Sequence, residues 1–150
     1  RALSDAALNV KLAVSLNAPT DALRRELMPV ARANPLPELI EACREFVRRC
    51  PKRHRVTFEY VLLREENDSP DDARALARLV RGIPCKVNLI PFNPDPRLPF
   101  ERPDDSRVEA FREVLLPESF VVAVRYSKGL EVAAACGQLA LAEKASANKE

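Results

Sequence analysis

Four short apolar runs, at 12–16, 55–63, 86–91 and 120–125, recur along the chain with amphipathic stretches between them. Connections of this length with helical periodicity join parallel strands through right-handed crossovers, so the pattern predicts an α/β fold with a parallel sheet. The first run ends at Asn17-Ala18-Pro19. Thr20 or Asp21 then offers an N-cap for a short helix ending before Pro29. Pro37 opens the next helix, on which Leu36, Leu39, Ile40, Cys43, Phe46 and Val47 fall at helical spacing, and Pro51 closes it. Asn67-Asp68-Ser69-Pro70 starts a third helix over 71–81 with Gly82 as its stop, and Asp104 or Asp105 caps a fourth through 116. The near-continuous apolar character of 55–63 predicts burial on both faces. Four such units without closure make about half of a (β/α) barrel.

The chain has 150 residues, which suits one domain with a substantial core. Lys and Arg number 24 against 22 Asp and Glu, with no long tract of one sign, so charge alone does not argue for nucleic acid. No stretch reads as a membrane span or a signal peptide, which leads to the expectation of a soluble, cytoplasmic protein without a membrane partner. Arg1 in place of Met suggests that an upstream part precedes the sequence. The four cysteines, Cys43, Cys50, Cys85 and Cys136, have no spacing that suits zinc or an iron–sulfur cluster, so no metal ligands are expected here. Cys43 and Cys50 lie about 10 Å apart along one helix face, too far to bridge, and read as packing residues.

In a parallel α/β arrangement, the loops leaving the C-terminal ends of the strands share one face, and sites are built there. Those loops carry Ser15-Leu16-Asn17, Asn67-Asp68, Phe92-Asn93-Pro94 and the segment 127–138, which includes Cys136. The basic run Arg48, Arg49, Lys52, Arg53, His54, Arg55 joins a helix to a strand, so it belongs at the opposite end as a solvated connection. Cys136 sits among small residues, Ala134-Ala135-Cys136-Gly137-Gln138-Leu139, where a bulky group could approach the sulfur. A buried packing thiol is the plainer alternative. Residues 144–150 read as a polar tail.

Read together and in order, Leu12-Ala13-Val14-Ser15-Leu16-Asn17-Ala18-Pro19, Phe58-Glu59-Tyr60-Val61-Leu62-Leu63, Pro84-Cys85-Lys86-Val87-Asn88-Leu89-Ile90-Pro91-Phe92-Asn93-Pro94 and the Cys136 motif resemble one family. It is the C-terminal half of the radical S-adenosylmethionine RNA methyltransferases that methylate adenine C2 in large-subunit ribosomal RNA and in transfer RNA. The resemblance implies a partial barrel of the radical SAM type over 1–143. It also implies a two-stage reaction. Cys136 first accepts a methyl group from one S-adenosylmethionine by displacement. A radical generated from a second S-adenosylmethionine at a 4Fe-4S cluster then converts that methyl into a carbon radical that adds to the base. Chemistry of this kind needs a thiolate to attack the sulfonium, and an electron-poor aromatic carbon is not methylated by displacement alone.

By the same resemblance, Ser15, Leu16 and Asn17 match a segment that contacts S-adenosylmethionine, and Asn93 matches an Asn-Pro contact to it. Hydroxyl and amide groups suit that task, although Asn17 and Asn93 also stand where bends are favoured. Glu59, inside a strand, is expected to be a structural acid, paired if it faces the barrel interior. Three positions depart from the family pattern: Asn17 stands for a common histidine, Arg64 for an acidic residue and Tyr126 for a lysine. The cluster-binding cysteines and the resolving cysteine belong to the other half of that family's chain and are absent from this sequence. Adenine C8 methylation of the antibiotic-resistance type, or a non-catalytic RNA-binding remnant, stay open as alternatives. By itself the chain is expected to be inactive. An unpaired edge at 12–16 is expected to make it associate, so light scattering at high concentration should report oligomers, and a clean monomer would contradict this.

Overall fold

The computed structural model describes residues 11–49, 55–119 and 121–126. Cys50, His54, Cys136 and the 144–150 tail lie outside the described residues. Strand β1 (Ala13–Ser15) leads to helix α1 (Asp21–Leu27), a 3-10 turn at Pro29–Ala33 and helix α2 (Leu36–Arg49). Then follow β2 (Val56–Leu62), α3 (Pro70–Val80), β3 (Cys85–Pro91), α4 (Asp105–Leu115), a second 3-10 turn at Leu116–Glu118, and β4 (Val121–Val124). The strands form one sheet in the order β1-β2-β3-β4, and every neighbouring pair is parallel. This is the expected α/β architecture, a curved portion of a (β/α) barrel wall with its helices outside.

Alternation along the strands sorts the side chains. Val56, Phe58, Tyr60 and Leu62 of β2, with Cys85, Val87 and Leu89 of β3, pack against Ile40, Cys43 and Phe46 of α2, Leu76 and Val80 of α3, and Val108, Phe111 and Leu115 of α4. All three long helices therefore cover the same sheet face. The Tyr60 and Phe111 rings lie 5.4 Å apart in a tilted pair. The opposite face of β2 is only half-buried at Thr57 and Glu59. The expectation of burial on both faces is thus corrected: the second face belongs to the barrel interior, where no described helix packs along the middle of the sheet. A second, smaller core gathers Val61, Leu63, Phe92 and Leu98 with Leu27, Met28 and Ala31 at the C-terminal end of the sheet.

Helix ends follow local chemistry. Ser69 and Asp72 form a reciprocal capping box at the start of α3, with Pro70 at its first position. Thr20 caps α1 through the Leu23 N–H, while Asp21 instead accepts from the Leu36 N–H at 2.8 Å and so ties α1 to α2. Asp104 precedes α4 without a side-chain cap bond. Helix α2 begins at Leu36, one residue before the proline expected to open it. Gly82 has φ +75 just beyond α3, and a Cβ there would meet no atom within 4 Å. Gly82→Ala is therefore a test of backbone strain alone. It is expected to cost about 1 kcal/mol in urea denaturation, because the left-handed region penalises any Cβ.

Among the described residues no helix is long and apolar enough to cross a membrane.

Candidate functional site

Where β1 ends, the chain turns sharply through Asn17, whose φ of +56 lies in the left-handed region that asparagine tolerates better than most residues. Its side chain is turned inward and only 4% exposed. The Asn17 Oδ1 accepts from the Val61 N–H at 2.9 Å, and its amide donates toward Met28 Sδ at 3.4 Å. Asn67 completes the junction from the loop after β2. Fully buried, it accepts from the Leu63 N–H at 2.7 Å and donates to the carbonyls of Asn17 and Val61, each at 2.8 Å. The Tyr60 hydroxyl donates to the Asn67 carbonyl at 2.9 Å. Two asparagines thus stitch the ends of β1 and β2 together with a bonding density that a buried turn requires.

Arg24 of α1 is 3% exposed and reaches the Asn34 carbonyl at 2.7 Å and the Ser15 carbonyl at 3.5 Å. Burial lowers its pKa, offset by the nearby charge of Asp21. Its Nε has no hydrogen-bond partner among the described residues. Sequence reasoning did not single out Arg24. It adjoins the apolar pair Leu23 and Leu27 on the helix, and nothing in the pattern separates it from exposed Arg25.

The expected site residues come together in part. Ser15 is half-buried, Leu16 fully buried and Asn17 committed to the turn, all at the C-terminal end of β1. Asn93 follows β3 at the same end of the sheet, half-buried between Phe92 and Pro94. Phe92 donates its N–H to the Leu62 carbonyl at 3.0 Å and packs edge-on against Phe100 at 6.1 Å. The proline-dense loop is pinned further by Arg97, whose bonds to the Asp95 carboxylate hold that carboxyl down at about 2. Cys136 lies outside the described residues.

Across the interior face the register sets Ser15 beside Glu59, Glu59 beside Asn88, and Asn88 beside Ala123. One step toward the N-terminal end lie Ala13, Thr57, Lys86 and Val121. Contrary to expectation, Glu59 faces the interior without a side-chain partner among the described residues.

Two departures from the family pattern have local partners. Arg64 pairs with Glu101 at 3.4 Å, joining the loop after β2 to the segment before α4. Tyr126 lies under the Arg102 guanidinium, 5.2 Å from ring centroid to Cζ. Of the basic run at the other end of the sheet, Arg48 pairs with Glu41 and Arg49 with Glu45. Cys43 and Cys85 are buried thiols; burial pushes Cys43 up to about 11, with the neighbouring Cys85 adding to it. Among the described residues no group of His, Cys, Asp and Glu could hold a metal ion.

No family model matches the chain. It is 55% identical over 131 residues to the "Dual-specificity RNA methyltransferase RlmN" of Anaeromyxobacter dehalogenans, covering 87% of this chain and 35% of that protein. The Rhodospirillum rubrum protein of the same name is 49% identical over 147 residues, covering 96% of this chain and 34% of its own length. A "Probable dual-specificity RNA methyltransferase RlmN" from Picosynechococcus is 48% identical over 139 residues, covering 93% and 40%. Among solved structures, a radical SAM methyltransferase from Sphaerobacter thermophilus superposes with a TM-score of 0.81 at 49% identity, over 91% of this chain and 40% of that one. The chain therefore spans between a third and two-fifths of the length of these relatives.

Proposed function

We propose, on the premise that this chain belongs as a segment to the radical SAM dual-specificity RNA methyltransferase family, that it is the C-terminal part of an enzyme methylating adenine C2 in ribosomal and transfer RNA. The observation that carries this reading is the 55% identity over 131 residues to a relative bearing that name. Residues 1–143 form the methyltransferase portion and 144–150 a polar tail. With ribosomal and transfer RNA as its substrates, the enzyme is assigned to the cytoplasm. Its partners are the RNA substrates and the N-terminal part of the same polypeptide.

S-adenosylmethionine suits the interior face, which offers a hydroxyl, an amide and a carboxylate in one row with Asn93 nearby at the same end of the sheet. Ser15, Leu16, Asn17 and Asn93 are the residues assigned to it. Because the Asn17 side chain is engaged by Val61 and Met28, its contribution is through the backbone. The 4Fe-4S cluster does not fit this chain, whose four cysteines lack the spacing that holds such a cluster, so its ligands are assigned to the N-terminal part.

When bound, S-adenosylmethionine supplies an electrophilic methyl group and, at the cluster, a radical. Cys136 would give up its thiol proton to solvent and its sulfur would accept the methyl group, a new S–C bond replacing the sulfonium S–C bond that breaks. The Asn17–Asn67 junction fixes the turn that would hold the cofactor, and the apolar cluster of Leu27, Met28, Phe92 and Leu98 at the same end of the sheet would help to exclude water.

The test is the mass of the Cys136 peptide from cells expressing the full-length polypeptide, beside a variant lacking its cluster cysteines. The expected result is a single added methyl on Cys136. An unmodified thiol in both preparations, with RNA still methylated by the parent protein, counts against the assignment. Resolving the positional isomers of the methylated adenine separates C2 from C8 chemistry.

A further inference from the structure

Phe58 and Tyr60 are fully buried against the helices, so strand alternation turns Glu59 to the opposite, interior face. There it sits between Ser15 on β1 and Asn88 on β3, in register with both. With strands about 4.8 Å apart, the three side chains make a polar row about 10 Å long, the length of a nucleoside. Ala123 on β4 ends the row with a methyl group and leaves space beyond Asn88.

Glutamate is disfavoured in strands, and a half-buried carboxylate without a partner is costly. Among the described residues neither Glu59 nor Asn88 makes a side-chain hydrogen bond, although Asn88 is only 7% exposed. Lys86, the nearest cation along the face, is exposed and forms no ion pair with Glu59. Several acids elsewhere hold an arginine, among them Glu41, Asp71, Asp95, Glu101, Asp105, Glu109 and Glu118.

We infer that Glu59 is a binding residue for S-adenosylmethionine, its carboxylate accepting hydrogen bonds from the cofactor's ammonium or ribose hydroxyls, with Asn88 beside it. This rests on the proposed function, since Ser15, its register neighbour, belongs to the segment assigned to that cofactor. A carboxylate that accepts from such donors is worth more than a neutral contact, and the isosteric amide keeps one acceptor oxygen but loses the charge and the second.

The experiment is equilibrium binding of S-adenosylmethionine to the cluster-reconstituted full-length polypeptide and its Glu59→Gln variant, with circular dichroism and melting temperature as fold controls. Glu59→Gln is expected to raise Kd by roughly tenfold or more with the fold controls unchanged. Methionine and 5′-deoxyadenosine, used as separate probes, locate the donor: weakening of methionine alone marks the ammonium, and of 5′-deoxyadenosine alone the ribose. A variant Kd within about twofold of the parent overturns the inference, including the case where only the RNA KM rises. A parent protein that fails to bind S-adenosylmethionine at all overturns the proposed function together with the inference, so the two failures are told apart by the parent alone.

Discussion

Asn67→Ala is expected to lower the stability of the folded protein by about 3–5 kcal/mol, measured by urea denaturation of the full-length polypeptide. The substitution strips partners from three backbone groups at once: the Leu63 N–H and the carbonyls of Asn17 and Val61. Asn67 is 0% exposed, so water cannot replace the lost amide without opening the junction. Asn67→Asp should be no milder. It keeps an acceptor for Leu63 but sets a carboxylate against two carbonyl oxygens where donors stood. Tyr60→Phe, which removes only the hydroxyl bond to the Asn67 carbonyl, should cost about 1 kcal/mol. A loss below 1 kcal/mol for Asn67→Ala would mean that the β1–β2 junction is held by something other than this network.

Cys136→Ala in the full-length enzyme is expected to reduce RNA methylation by about 10⁴-fold or more, on the scale seen when a covalent nucleophile is removed. Among the described residues no other cysteine can substitute. Cys43 is 1% exposed and Cys85 is 0% exposed, and burial raises both thiols, Cys43 to about 11, so neither presents a thiolate at neutral pH. Cys43→Ala should therefore affect stability and leave the methyl acceptor intact. The measurement is RNA methylation by mass spectrometry for the two variants in parallel. Methylation that survives Cys136→Ala at the parent's rate excludes the carrier mechanism and returns Cys136 to a packing role.

Much of this fold is legible from periodicity. Parallel strands buried against helices leave apolar runs, and the helices between them repeat at 3.6 residues, so every element but the 3-10 turns can be placed from the sequence. Boundaries drift where chemistry is shared. Asp21 looks like a cap for α1 and instead bonds the start of α2, and Leu36 enters the helix ahead of Pro37. The turn at Pro29–Ala33 has too few residues for any period to show. The loops at the C-terminal end of the sheet were legible from topology, which placed Ser15, Asn17, Asn67 and Asn93 at one end. What sequence could not give is which way each polar group turns. Asn17 looks like a ligand contact, yet its amide is spent on Val61 and Met28; Glu59 looks like a structural acid, yet it has no partner among the described residues. Those outcomes depend on a left-handed φ at one residue and on strand register, neither of which leaves a mark in composition.

Arg24 also sets a limit on assembly. The Leu12 carbonyl and the Leu16 N–H point toward β2, so the backbone groups of Ala13 and Ser15 point the other way, off the edge of the sheet. Arg24 reaches over that edge to the Ser15 carbonyl. A strand pairing along β1 meets the buried Arg24 side chain at the Ser15 carbonyl and must compete with it for that acceptor. The edge of the described sheet is thus asymmetric, its Ser15 end already engaged by a side chain of the same chain.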